Sequence, residues 1–302
     1  LDGASAPAVL RAMERGDPAG DFWAAIRESG VLDLLVPEDK GGLGLSLPDA
    51  APFISVLGAR GLQHPVAETL IARGVLTQSG ADAPDGAIAL ASGLGPSQVC
   101  PGALAAEWVL IDSGDALALV RAQQVSLEPT GVEGSLAARL SWDGAHVAVT
   151  APRPAGGLRP IAAVTRALQI AGAADRLLEM SAAYANERVQ FGKPIGRQQA
   201  LQQNLAIMAE DSVAARIAAQ LGAASGLPPK LAAAAAAKVT ASSAAARIAA
   251  TAHAVHGAIG VSAEFDLQLL TRRLHEWRLA DGSEGYWSKL LAGVRMKNER
   301  GS

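Results

Sequence analysis

Three stretches of different hydrophobic period follow one another along the chain, and each predicts a different kind of element. Over about the first 80 residues apolar positions recur at helical spacing between turns. Phe22, Ile26 and Val31 begin a stripe after the breaker Asp17-Pro18-Ala19-Gly20, and Leu32, Leu34 and Leu35 carry it to Val36-Pro37. The glycine-rich turn Gly41-Gly42-Leu43-Gly44 follows. Pro48 stands where a first-turn proline is tolerated, ahead of Ala51, Ile54, Leu57 and a stop at Gly58. A further helix is expected from Val66 to about Leu76, with Glu68 in its first turn.

From roughly Asp85 to Thr150 the pattern changes to short apolar runs bounded by Gly, Pro, Asp or Ser, which is how strands read. They are Ile88-Ala89-Leu90, Trp108-Val109-Leu110-Ile111, Ala116 to Val120, and Ala145 to Val149. Beyond Pro160 the helical period returns and stays. Leu168, Ala171, Gly172, Leu178, Ala182 and Ala185 mark one face of a helix ending near Phe191-Gly192. A second carries Leu201, Leu205, Met208 and Ile217 up to the break at Gly222–Pro229; a third runs from Pro229 to about Val255; a fourth begins near Asp281 and includes Trp287, Leu290, Leu291 and Val294. The expected architecture is mainly α with a small β domain: an N-terminal helical domain over 1–84, a middle β domain over 85–156, and an antiparallel C-terminal four-helix bundle over 157–302.

Composition narrows the class. With 302 residues, two or three domains or one large helical unit fit, and 50% hydrophobic against 18% charged residues excludes a disordered chain. A net charge of −3 gives no bulk attraction to nucleic acid or to a membrane surface, so no such partner is expected. Aromatics make up only 4%, and alanine dominates, as in Ala232–Ala237. Alanine forms helices well but buries little area, so the core requires close helix contacts and, with them, contacts between subunits. Cys100 stands alone and cannot form an intramolecular disulfide, no signal peptide is expected, and the apolar run Leu231–Val239 is too short to span a bilayer. A cytoplasmic setting without a membrane span is the expectation.

One segment carries a specific signal: Tyr184-Ala185-Asn186-Glu187-Arg188-Val189-Gln190-Phe191-Gly192-Lys193-Pro194-Ile195-Gly196, followed by Gln198-Gln199-Ala200. It resembles the acyl-CoA dehydrogenase family at its Arg-x-x-Phe-Gly-x-x-Ile/Leu motif. Phe22 to Leu45 is similar to that family's N-terminal signature, and His256-Gly257-Ala258-Ile259-Gly260-Val261, Arg272-Arg273 and Asp281-Gly282-Ser283 are similar to its C-terminal region. The resemblance spans nearly the whole chain. It implies FAD-dependent α,β-dehydrogenation of an acyl-CoA thioester, electrons passed on to an electron-transfer flavoprotein, and a homo- or hetero-oligomer, a dimer or tetramer, in which each chain reaches toward a neighbour's flavin. The cofactor-binding residues implied are Arg188, Gln190, Phe191, Gln199, Gly257 and Ser283, with no metal. Arg188 offers a planar fork suited to a pyrophosphate, the glutamines offer amide hydrogen bonds, and Phe191 is either an apolar wall or a packing anchor for its turn. The plainer reading of the same residues is a helix ending in a Phe-Gly stop with a basic end.

The resemblance also marks where this chain departs from the family. Ala254 and Ala258 stand where the family has a glutamine and a second glycine, and Ala162 occupies its alternative base position. The usual catalytic Glu corresponds to Asp281, one methylene shorter. Asp281 is therefore the candidate base, and Asp281-x-x-Glu284 equally reads as a capping box for the last helix. The flavin-covering motifs of the middle domain are absent, and Ala91 to Ser97 matches them only in composition. A heteromeric pair, in which a fuller partner supplies the base, or a catalytically silent scaffold that kept the fold without its own flavin, both follow. His253 and His256 lack a third ligand, so capping or surface roles outweigh zinc; Arg272-Arg273 read as a solvated helix end or an anion contact; Cys100 reads as inert.

Overall fold

The structure is a computed structural model that describes residues 7–15 and 20–300, with the backbone alone at 295 and 297–300. Residues 17–19 of the expected breaker lie outside the described residues. The chain divides into two compact units. The first comprises residues 1–51, 62–165 and 223–231, and the second residues 52–61, 166–222 and 232–302.

The first unit opens with helices α1 (Pro7–Glu14) and α2 (Gly20–Glu28), which buries Phe22 and Ile26 as the stripe predicts. Helix α3 (Leu47–Ala59) begins in this unit where Pro48 allows and belongs to the second unit from Pro52 onward, and Asp49 closes its first turn by accepting from the Ser46 N–H and hydroxyl. Helix α4 (Val66–Gln78) is buried on nearly every side. Its Thr69 Oγ1 accepts from the Ile88 N–H at 2.8 Å, tying helix to sheet. His64 lies buried just before α4, stacked on Trp23 at 4.8 Å and against Phe22 at 5.7 Å.

Two sheets follow. Strands β1 (Ile88–Ala91), β3 (Trp108–Asp112), β4 (Ala116–Arg121) and β7 (Val147–Pro152) form one, in the order β1-β3-β4-β7, with only β1 and β3 parallel. Strands β2 (Ser97–Cys100), β5 (Ser126–Pro129) and β6 (Ala138–Ser141) form an antiparallel second, in the order β2-β6-β5. Their facing side chains share one core that includes Cys100, Val109, Ile111, Val120 and Leu140. The second sheet is not foretold by the apolar runs, because its strands have four residues each and turn alternate side chains to water, as Val99 and Arg139 show. Asp112 then starts the next helix, α5 (Leu158–Glu187): its Oδ2 accepts from the Leu158 N–H at 3.0 Å and its Oδ1 from Arg153 Nε at 2.7 Å. Gly157 sits so close that a Cβ would stand 2.0 Å from that carboxylate.

In the second unit α5 ends at Glu187, four residues before the expected stop. The chain goes instead into a two-residue hairpin, β8 (Val189–Gln190) with β9 (Lys193–Pro194), and Ile195 donates to the Arg188 carbonyl at 2.8 Å. Helices α6 (Gln199–Ala224) and α7 (Leu231–His256) follow the pattern read from the sequence. Helix α8 (Leu267–Leu279) is an addition to the four expected, with Leu267, Leu270, Leu274 and Trp277 on its buried face. It corrects the reading of Arg272-Arg273 as a solvated end, since Arg273 is buried mid-helix and paired with Glu276 at 2.7 Å. Helix α9 (Glu284–Arg300) begins three residues past Asp281. No helix among the described residues is long and apolar enough to cross a membrane.

Backbones approach closely where alanine and glycine allow it. A Cβ at Gly172 would lie 1.8 Å from the Ser55 carbonyl oxygen, and one at Gly58 would lie 2.1 Å from the Gln169 carbonyl oxygen, so two glycines seat α3 on α5. Gly172→Ala is expected to cost about 2–3 kcal/mol in denaturant unfolding, the penalty of forcing a packed contact open. Burial lowers the pKa of His64 from 6.5 to about 4, so the unfolded chain takes up the proton first as pH falls. Stability from this group is complete above pH 6.5 and is lost toward pH 4. Relative to His64→Phe, the wild type should lose about 3 kcal/mol between pH 7 and pH 4, measured by urea titration at each pH.

Candidate functional site

The signature residues gather around a cleft of about 540 Å³ in the second unit, where the end of α5, the hairpin, the start of α6 and the end of α7 meet. Arg188 and Gln190 line it and are exposed. They are placed there by the early end of α5: the Arg188 N–H still bonds the Tyr184 carbonyl at 2.9 Å, and the next residue already pairs across the hairpin. Phe191 and Gly192 form the two-residue turn, both with positive φ of 52° and 76°, the twist a tight hairpin requires. Phe191 is 94% exposed. It is therefore no packing anchor within this chain.

Gly257 lines the same cleft and takes φ 62°, a left-handed conformation that lets α7 end and the chain turn back. Ala254 and Ala258 line it too, presenting methyl groups. Two residues that sequence reasoning left aside complete the wall. His256 stacks on Tyr184 with ring centroids 4.5 Å apart, and its Nδ1 lies 2.8 Å from the Ala252 carbonyl. Burial lowers its pKa, so the ring is neutral, as a wall residue. Tyr184 stands four residues before Arg188, one helical turn, which is the signal that would have found it. Gln198, not Gln199, joins Gln190 on the cleft; Gln199 opens α6 and is exposed. Among the described residues no group of three possible metal ligands comes together.

The other two expected site residues sit elsewhere in the unit, in the turn between α8 and α9. Ser283 caps α9, its Oγ accepting from the Tyr286 N–H at 3.4 Å. Asp281 takes φ 56°, and its Oδ2 accepts from Arg166 Nε at 2.9 Å, both side chains only 2% exposed. Arg166 also donates to Gln169 Oε1 at 2.7 Å. The capping-box reading of Asp281 is thereby corrected: Ser283 provides the cap, and Glu284 turns to Arg278 at 3.5 Å. As a base, Asp281 would need a lone pair open to substrate, and its carboxylate is enclosed by an ion pair instead.

The model of the acyl-CoA dehydrogenase C-terminal domain matches residues 161–292. The chain is 30% identical over 279 residues to the acyl-CoA dehydrogenase IpdE2 of Mycobacterium tuberculosis, covering 89% of this chain and 85% of that protein. It is 32% identical to the protein of that name from Mycolicibacterium smegmatis, covering 90% and 87%. Among solved structures, the ChsE4-ChsE5 complex from Mycobacterium tuberculosis superposes with a TM-score of 0.83 at 23% identity, covering 96% of this chain and 92% of the other.

Removing one member of the buried pair strands the other. Asp281→Asn, which tolerates the left-handed backbone, should cost about 3–5 kcal/mol in chemical denaturation. The double variant Arg166→Met/Asp281→Asn should be more stable than Asp281→Asn alone.

Proposed function

Because the chain belongs to the acyl-CoA dehydrogenase family, an oxidoreductase family acting on acyl-CoA, we propose that it is one subunit of an oligomeric, FAD-dependent α,β-dehydrogenase of an acyl-CoA thioester. In this reading it lends Arg188, Gln190 and Gln198 to a dinucleotide held mainly by a neighbouring subunit, and the base is a carboxylate of a partner chain. The single observation that carries it is the hairpin: a fully presented Phe191, held at positive φ beside a cleft whose polar lining is open. In an oligomer a neighbouring surface would cover the ring.

The cleft fits the diphosphate and nucleoside end of FAD by the chemistry of its donors. The guanidinium of Arg188 makes paired, charge-assisted bonds to phosphate oxygens, the amides of Gln190 and Gln198 serve ribose or base edges, and Tyr184 with neutral His256 gives an apolar wall. Bound FAD would supply the two-electron acceptor for the hydrogen leaving the β carbon. Leaving the α carbon is a proton, which needs a carboxylate with an open lone pair. Asp281 is committed to Arg166, so this chain's part at that end is to hold the turn. Helix α6 supports assembly: Ile207, Val213, Ile217 and Leu221 are exposed along it.

The alternative, a silent scaffold, is favoured by Ala254 and Ala258, which put methyls on the cleft where the resemblance calls for an amide and bare backbone. The visible spectrum separates the readings. Purified alone the chain should be colourless, and co-purified with a fuller family subunit from the same source it should show flavin bands and desaturate an acyl-CoA. Stoichiometric flavin and turnover in the chain alone would overturn the shared site; bands in neither sample would favour the scaffold. In the coloured complex, Arg188→Gln should weaken FAD retention by about 10–100-fold, measured by flavin release on dilution, the worth of about 1.5–3 kcal/mol for a charged hydrogen-bond donor.

A further inference from the structure

Helix α8 ends on an extended residue, its C-cap Ala280 (φ −63°, ψ 148°), and the left-handed residues come only after it, at Asp281 (φ 56°) and Gly282 (φ 103°). The Ala280 N–H satisfies the Glu276 carbonyl at 3.0 Å, which leaves the carbonyls of Trp277 and Arg278 to find donors elsewhere. They find them on α7. The ammonium of Lys238, fully buried, donates to the Trp277 carbonyl at 2.7 Å and the Arg278 carbonyl at 3.0 Å, and to Ser242 Oγ at 3.2 Å, while Ser242 Oγ donates to the Arg278 carbonyl at 3.3 Å. Three donors meet three acceptors, at the end of a helix where the dipole favours a cation.

The geometry points to Lys238 as the positioning residue of the turn Ala280–Ser283: its ammonium satisfies the last carbonyls of α8 and so sets the direction in which the chain carries Asp281. Everything after the cap depends on that direction. Asp281 enters at φ 56° with its carboxylate on Arg166, its carbonyl accepts from Trp287 Nε1 at 3.1 Å, and Gly282 packs on the indole so closely that a Cβ would lie 2.7 Å from Nε1. Were the two carbonyls unsatisfied, the last turn would recoil to pair them internally, and Asp281 could not reach both Arg166 and Trp287. The link to the acyl end of the site rests on the function proposed above; the test reads this chain without flavin or partner.

Charge on Lys238 is part of the device. Burial lowers its pKa from 10.5 to about 7; Asp281 of the turn and Glu284 of α9 favour the charged form, while Arg166 of α5 and Arg278 of α8 oppose it. A neutral amine has two donors for the three acceptors, so deprotonation must release one contact.

The indole N–H of Trp287 reports on the turn by nitrogen-15 NMR. In the wild type its resonance should shift with pH in a single step near neutrality, with Trp108 as the unmoved control. In Lys238→Met the resonance should move, and amides 277–283 should exchange at least tenfold faster than in the wild type, with α4 unchanged. A Trp287 trace flat to pH 10.5 would overturn the proposal without any variant. So would a folded Lys238→Met in which exchange at 277–283 rises no more than elsewhere. Flavin in the mixed complex is unaffected by either failure, which keeps the two readings separable.

Discussion

Close approach of helix backbones is the constraint from which the second unit is built. On α7 the buried positions are mostly alanine: Ala234, Ala235, Ala237, Ala241, Ala244, Ala245, Ala249 and Ala252. Each removes little area from water, so the face stabilises only if neighbouring helices come near enough to touch it along its length. Gly172 against the Ser55 carbonyl and Gly58 against the Gln169 carbonyl show how near that is. Flat faces of small residues have a second property: they hold helices together but mark no particular register. What marks it are the polar groups buried among them.

Those groups sit at helix ends, where backbone carbonyls or N–H groups lack partners. Lys238 and Ser242 meet the last turn of α8, Arg166 meets Asp281 one turn further on, and Ser283 starts α9. Each is costly to bury and satisfied in one alignment only, so a slip by one helical turn would strand an ammonium or a guanidinium in the interior. The opposite end of the unit is arranged differently. There the donors of Arg188 and Gln190 open on the cleft and Phe191 stands in solvent. One end is closed upon itself, and the other is open.

Sequence pattern disclosed elements whose residues speak for themselves. Helices α3, α4, α6 and α7, strands β1, β3 and β4, and the cleft residues Arg188, Gln190 and Gly257 were legible because apolar period, a first-turn proline or a family motif marked them. Helix α8 was hidden by its arginines: Arg272 and Arg273 read as surface, yet Arg273 is neutralised by Glu276 one turn on, a pairing of two charged residues that hydrophobic period does not register. Strands β2, β5 and β6 were too short and too alternating. Arg166, 115 positions before Asp281, gave no local sign at all, because a long-range ion pair depends on how helices are brought together and not on spacing.

That pair also accounts for the choice of residue at 281. The backbone there is left-handed, where short side chains with a nearby polar group are tolerated far better than longer ones. A glutamate on the same backbone would carry its carboxylate a methylene further, past the position in which Arg166 Nε lies 2.9 Å from Oδ2. Aspartate at 281 is thus coupled to a second residue, Arg166, and the two together fix the shape of the turn.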